Sequence, residues 1–206
     1  MKNFALISLI LIVISITTKA ILNLDNLVAD TLSTTVTSEQ LNEYVHFQKK
    51  WQWISYTVIP IILLTKTTLI TSVLFVGSFF FNKSTVTFKQ LFNVAIKAEF
   101  IFLGVGILKI GWFYFFQTNY TLEDIQYFFP LSALNIVGYK GLEPWLIYPF
   151  QILNLFELAY WLILAYFIGK ITETNMDRGL KIVASSYGSA LLLWVVVIMF
   201  FTLNYS

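Results

Sequence analysis

Apolar residues gather along this chain in long blocks separated by shorter polar segments. Five blocks, at about residues 4–22, 53–81, 91–116, 145–169 and 180–203, each have the length of a membrane-crossing helix. The polar segments 23–52 and 117–144 separate them on one side, and the short connections 82–90 and 170–179 on the other. The pattern predicts an all-α polytopic membrane helical bundle, a single domain over residues 1–206 with about five transmembrane helices.

Local signals refine the elements. Thr37 and Gln40 have the spacing of a capping box, and the helix they open is expected to feed straight into the second span. Pro60 predicts a kink in that span, and Thr57, Thr68 and Thr71 share a face suited to packing and back-bonding to the helix. Thr121 and Asp124 mark a short interfacial helix ended by Pro130. Small residues at Gly104, Gly111, Ala184, Gly188 and Ser189 are expected at helix–helix contacts, where lipid supplies no hydrophobic drive and close backbone approach must hold the helices.

One block organises the rest. Trp145 to Gly169 is strongly apolar, yet Gln151, Asn154 and Glu157 interrupt it at i, i+3, i+6. On a continuous helix these three side chains share one face. By helical rise Glu157 then lies ~18 Å from the entry of the span, near the bilayer centre, where a carboxylate costs roughly 2.5–3.5 kcal/mol. Lys66 reaches ~20 Å into the second span by the same arithmetic. The two levels match, so a Lys66–Glu157 ion pair is expected, with Glu99 as the other candidate partner for Lys66. The alternative is a protonated Glu157 bonded to Asn154 or to a serine of the fifth span. Lys66, Glu99, Gln151, Asn154 and Glu157 form the candidate intramembrane polar network.

Composition agrees with the pattern. The chain is 58% hydrophobic and 12% charged, with mean hydropathy +0.76, whereas soluble domains carry about 25% charged residues. Lys2, Lys83, Lys89, Lys170, Arg178 and Lys181 fall in segments on one side. Lys49, Lys50 and Lys140, with most of the acidic residues, fall on the other. The positive-inside rule then predicts the N-terminus in the cytoplasm and the C-terminus outside. Residues 1–20 also have the layout of a secretory signal ending at Ala20. An uncleaved anchor is the reading adopted, because an odd number of spans fits the charges.

Several chemistries find no parts. The chain has no cysteine and one histidine, His46, so thiol catalysis and sites with two histidines are excluded. There is no HExxH, no GxxxxGK[ST] and no complete GxGxxG. No basic run points to nucleic acid. The expectation is therefore no enzyme, no cofactor, no metal, no nucleic-acid partner and no evident small-molecule substrate. Membrane lipids and other membrane proteins are the expected partners.

The order of motifs also resembles a known family. TFKQLFNVAIKAEFIFL (Thr87 to Leu103) is followed by PLSALNI (Pro130 to Ile136), LNLFELAYWLILAYFIGKIT (Leu153 to Thr172) and MDRGLKIVASSYGSALLLWVV (Met176 to Val196). This is similar to the bacterial branch of the Yip family, the Ypt/Rab-GTPase-interacting five-span membrane proteins. Asn154 stands where that family usually has an acidic residue before the Phe, and Tyr160-Trp161 replaces its Trp. The resemblance implies a five-span integral membrane fold, and the leading reading is a non-enzymatic protein of the bacterial inner membrane acting as scaffold, accessory subunit or membrane-organising protein. The other reading is a small transporter or channel subunit using the polar network as a pathway. An intramembrane enzyme built on Glu99 and Glu157 comes third.

Overall fold

The computed structural model describes residues 2–81 and 86–205, and every named element in it is helical. Asn82 to Thr85, which includes Lys83 of the charge argument, lies outside the described residues. The helices are α1 (Lys2–Ile21), α2 (Leu24–Ser33), α3 (Ser38–Phe81), α4 (Phe88–Glu99), α5 (Leu103–Phe115), α6 (Leu122–Tyr127), α7 (Ala133–Val137), α8 (Pro144–Ile152), α9 (Leu155–Ile171), α10 (Met176–Val183) and α11 (Ser189–Tyr205). A 3₁₀ turn, Phe100–Phe102, joins α4 to α5, and a π-helical turn, Ala184–Gly188, joins α10 to α11. Four helices are long and apolar enough to cross a membrane: α1, α3, the run from Phe88 to Phe115 and the run from Met176 to Tyr205.

The capping box at Thr37 forms. Gln40 N donates to Thr37 Oγ1 at 3.4 Å while Thr37 N donates to Gln40 Oε1 at 3.1 Å, which satisfies two N–H groups that a helix start leaves orphaned. The helix it opens runs 44 residues without interruption, through Pro60. That is ~66 Å of helix by rise per residue.

The block 145–169 departs from expectation. It is not one helix but two, α8 and α9, broken at Leu153–Asn154. Asn154 is extended (φ −140°, ψ 159°) and serves as the N-cap of α9, its side chain accepting from Glu157 N at 2.7 Å. The exposed backbone at the break finds partners on the segment before α7. Ala133 N donates to Leu153 O at 2.8 Å and Leu155 N donates to Leu131 O at 3.2 Å, forming an isolated antiparallel bridge between Ser132 and Asn154.

The chain divides into two compact units, Met1–Leu64 with Leu103–Phe128, and Thr65–Phe102 with Phe129–Ser206. In the first, α1 packs on α5, and a Cβ at Gly106 would come within 2.6 Å of Ile14 Cγ2. Phe113, Ile125 and Leu22 form its small core, with Phe128 and Tyr120 edge-on to Phe113. The short helix α6 carries its own reciprocal cap between Thr121 and Asp124 and ends at Tyr127, before the expected stop at Pro130. Ile125 plants it on that core.

In the second unit α9 is central. It buries Tyr160, Leu164, Ala165 and Ile168 against α4, α10 and the end of α3, and leaves Leu155, Leu158, Leu162 and Tyr166 exposed. Its contact with α10 is the closest in the unit: a Cβ at Gly179 would collide with Ala165 O, and one at Gly169 would lie 2.7 Å from Asn175 O. Asn175 caps α10 through Arg178 N, and the Arg178 guanidinium returns to donate to Phe81 O at the C-terminal end of α3. A cation there also meets the negative end of the α3 dipole.

Candidate functional site

The polar residues of the second unit gather where its helices lose α geometry. The 3₁₀ turn follows Glu99 directly, the α8–α9 break precedes Glu157 by three residues, and the π turn contains Tyr187. The π turn has a visible local cause. Ser185 and Ser186 hydroxyls donate to the carbonyls of Lys181 and Ile182 at 2.7 and 2.6 Å, the back-bonding that opens a helical turn. It delivers Tyr187 to face α9.

Lys66 pairs with Glu99, not with Glu157. Lys66 Nζ lies 2.8 Å from Glu99 Oε2, and 4.3 Å from the centroid of the Phe102 ring. The ammonium is therefore held by a carboxylate and by an aromatic face together. Glu99 is 4% exposed, whereas the Lys66 side chain is 43% exposed. The matching depths of Lys66 and Glu157 did not decide the partner. Glu99 terminates α4, where the helix dipole disfavours a carboxylate, and the ammonium offsets that.

Glu157 has a different solution. It is the third residue of α9, at the positive end of the helix. Its Oε1 accepts from Tyr187 OH at 2.7 Å and from Trp161 Nε1 at 2.9 Å, so neither Asn154 nor a serine supplies its side-chain partner. The side chain of Asn154 is occupied with the break itself: Oδ1 caps α9 and Nδ2 donates to the carbonyls of Gln151 and Ile152. Gln151 enters through its backbone. The three polar residues thus do not form a stripe on one helix face. One caps, one bonds across to the π turn, and one offers a carbonyl.

Tyr160 and Tyr187 belong to the cluster and were not singled out from the sequence. Tyr160 is fully buried between Phe102 and Tyr187, with ring centroids 5.1 and 5.5 Å away. The available signal was their type: a buried tyrosine in an apolar helix brings a hydroxyl that needs a partner. A second link, Trp194 Nε1 to Tyr148 OH at 3.0 Å, ties α11 to α8. Among the described residues no group of three or more His, Cys, Asp or Glu could hold a metal ion.

Of the small residues, Gly188 packs as expected, its position leaving 2.5 Å between an added Cβ and Trp161 Cη2. Gly111 does not, since nothing lies within 4 Å of a Cβ there, and Gly106 makes the close approach on α5 instead. Ala184 and Ser189 are exposed, and Gly104 is half-buried. On the other edge of the π turn it is Ser186 that meets Gly77 of α3. Because Trp161 is pinned by Glu157, Gly188→Leu is expected to cost roughly 1–3 kcal/mol, by overpacking and by displacing the indole. Thermal unfolding of the purified variant measures this; an unchanged midpoint would show that the indole is free to move aside.

No family model, no curated protein and no solved structure matches the chain.

Proposed function

We propose that this chain is a non-enzymatic integral membrane protein, Yip-like in its order of segments, acting as a scaffold, accessory subunit or membrane-organising protein of the bacterial inner membrane. Its apolar surface supports the membrane assignment. Helix α11 buries no residue, and Leu192, Leu193, Trp194, Phe200 and Phe201 stand exposed along it. Such a surface is far beyond what a soluble monomer leaves uncovered, and lipid would cover it. The α8–α9 pair supplies the fifth crossing: α9 alone, at 17 residues, spans ~26 Å, and α8 completes the ~30 Å hydrocarbon thickness.

One observation carries the scaffold reading. The charged and polar side chains of the cluster are taken up by bonds from helix to helix, Lys66 to Glu99 and Glu157 to Tyr187. They hold the bundle together instead of lining a path. Isolation from native membranes with cross-linking should recover a membrane-protein partner in stoichiometric amount, and reconstituted vesicles should show no ion flux. Flux above that of empty vesicles would overturn the reading in favour of a transporter. A specific feature favours that second reading: the broken helix beside two carboxylates, the construction by which transporters expose backbone to a coupled ion.

Topology has its own test. Reporters fused after Ser84, Gln117, Asn175 and Ser206 should read inside, outside, inside, outside. A re-entrant α8–α9 would instead give outside at Asn175 and inside at Ser206, removing one span.

A further inference from the structure

Within the second unit a groove runs along the last turns of α3, where they meet the π turn. Ser72, Val76, Phe80 and Phe81 line it from α3, and Ser185 and Ser186 line it from the turn, around a volume of about 470 Å³. Ser72, Val76 and Phe80 recur at four-residue spacing and so share one face of the helix. Gly77 lines it too and lets the backbones approach, since a Cβ there would collide with Ser186 Cβ. The groove offers a guest no hydroxyl proton. Ser72, Ser185 and Ser186 each donate to a carbonyl one turn back, those of Thr68, Lys181 and Ile182, at 2.9, 2.7 and 2.6 Å. A polar guest would give up hydrogen bonds it made in water and regain few, so the fitting guest is hydrocarbon.

Length and charge narrow the choice. Phe81 follows Ser72 by nine residues, which is ~14 Å of helix, close to half of the ~30 Å hydrocarbon thickness. That is the depth of one leaflet, the reach of one acyl chain below its headgroup. At the Phe81 end the Arg178 guanidinium donates to Phe81 O at 3.0 Å, leaving the rest of its N–H groups for another acceptor. Lys181 is exposed on α10 one turn before Ser185, and at i, i+3 from Arg178 it is its neighbour on the helix surface. Asp177 also lies on α10, but among the described residues neither cation forms an ion pair. A guanidinium with N–H groups to spare beside an ammonium suits a phosphate, and basic pockets between transmembrane helices hold anionic headgroups.

We propose that this groove holds one anionic phospholipid, its acyl chain laid along α3 from Phe80 to Ser72 and its phosphate on Arg178 and Lys181. The proposal rests on the membrane placement of the chain, and not on whether the protein is a scaffold or a transporter.

The test uses the full chain, purified in detergent and stripped of lipid. The probes are phosphatidylglycerol and phosphatidylethanolamine with identical acyl chains, the second carrying the same phosphate neutralised by its own ammonium. Native mass spectrometry counts the lipid molecules retained per chain. One phosphatidylglycerol per chain is expected, in preference to phosphatidylethanolamine. Lys181→Gln should weaken its retention roughly fivefold, and Arg178→Gln with Lys181→Gln about 25-fold, at the usual worth of one basic residue near an anionic headgroup. Lys181→Gln alone suffices should loss of the Arg178 bond to α3 unfold the chain. Val76→Trp leaves both charges in place and should abolish the one-to-one adduct by filling the groove. Equal retention of the two lipids, an adduct unweakened in Lys181→Gln, or one that survives Val76→Trp overturns the proposal. A dimer that Val76→Trp dissociates, with no lipid adduct, overturns it in favour of a second copy of the chain. A chain that stays monomeric without detergent fails the membrane reading itself, whereas equal binding of both lipids by a detergent-dependent chain fails the lipid site alone.

Discussion

Replacing Lys66 by Met is expected to destabilise the protein by about 3–5 kcal/mol, while Lys66→Met combined with Glu99→Leu restores most of the loss. Glu99 is buried and its Oε2 has Lys66 as its bonded partner at 2.8 Å. Removing the ammonium leaves a carboxyl that is 4% exposed without the cation that holds it. Either it stays charged without a partner or it takes up a proton at a cost, and both are unfavourable. Removing the carboxyl as well takes away the group that needed the partner, and an apolar pair of similar volume is often neutral against an ion pair. Unfolding curves of the two single variants and the double variant close the cycle. Additive losses would mean that the two side chains do not depend on each other, and the ion pair would have to be abandoned. The same cycle on Lys66 and Glu157 should show weaker coupling, since Glu157 is bonded to Tyr187 and Trp161 and Lys66 to Glu99.

The sequence made some of this legible. Apolar length predicts five spans, of which four are long apolar helices, and the Thr37–Gln40 and Thr121–Asp124 spacings place two helix starts at the positions where they form. Thr87 and Gln90 have the same spacing, and α4 starts there with the same reciprocal cap. The Asn154-x-x-Glu157 spacing belongs to this class too: Asn is a preferred N-cap and Glu fits the third helical position. Within 25 apolar residues, however, length argues for a single span and hides the cap. The break is held by Leu131 and Ala133, some twenty residues upstream. No local pattern announces a partner at that distance.

The ion pair shows a different limit. Helical rise gives a depth along each helix, and Lys66, Glu99 and Glu157 all reach the interior on that arithmetic. Which of two carboxylates meets the ammonium depends on the rotation of each helix about its axis. That rotation is set by packing: the 3₁₀ turn after Glu99 brings Phe102 under Lys66, while the π turn brings Tyr187 to Glu157 and occupies it. The small residues follow the same logic. Four-residue spacing says that two side chains share an edge. It does not say which edge faces a neighbour, so Gly188 is matched to Trp161 while Gly111 faces nothing and Ala184 is exposed.

Glycine 179 is where packing leaves least room, and Gly179→Ala is expected to cost roughly 3 kcal/mol, the upper end for one added methyl group. The Cβ would strike Ala165 O and come within 3.0 Å of Gly169 N, both backbone atoms of α9. A side chain can rotate away; a helix backbone cannot, so α10 would have to move off α9 as a body. That displacement would pull Ile182 and Val183 out of the core they share with Leu164 and Ile168. It would also shift the π turn, because α10 leads straight into it, and with it the Tyr187 bond to Glu157. Gly111→Ala is the control: its Cβ meets nothing within 4 Å, so the substitution should leave stability unchanged or raise it by roughly 0.5–1 kcal/mol, as Ala does for Gly in a helix. Thermal unfolding of both variants, with tyrosine and tryptophan fluorescence as the probe, separates them. Equal midpoints for the two would mean that α10 and α9 do not meet as closely as the structure has them. A lowered midpoint together with an altered fluorescence spectrum in Gly179→Ala alone would tie the α9–α10 contact to the polar cluster beside it.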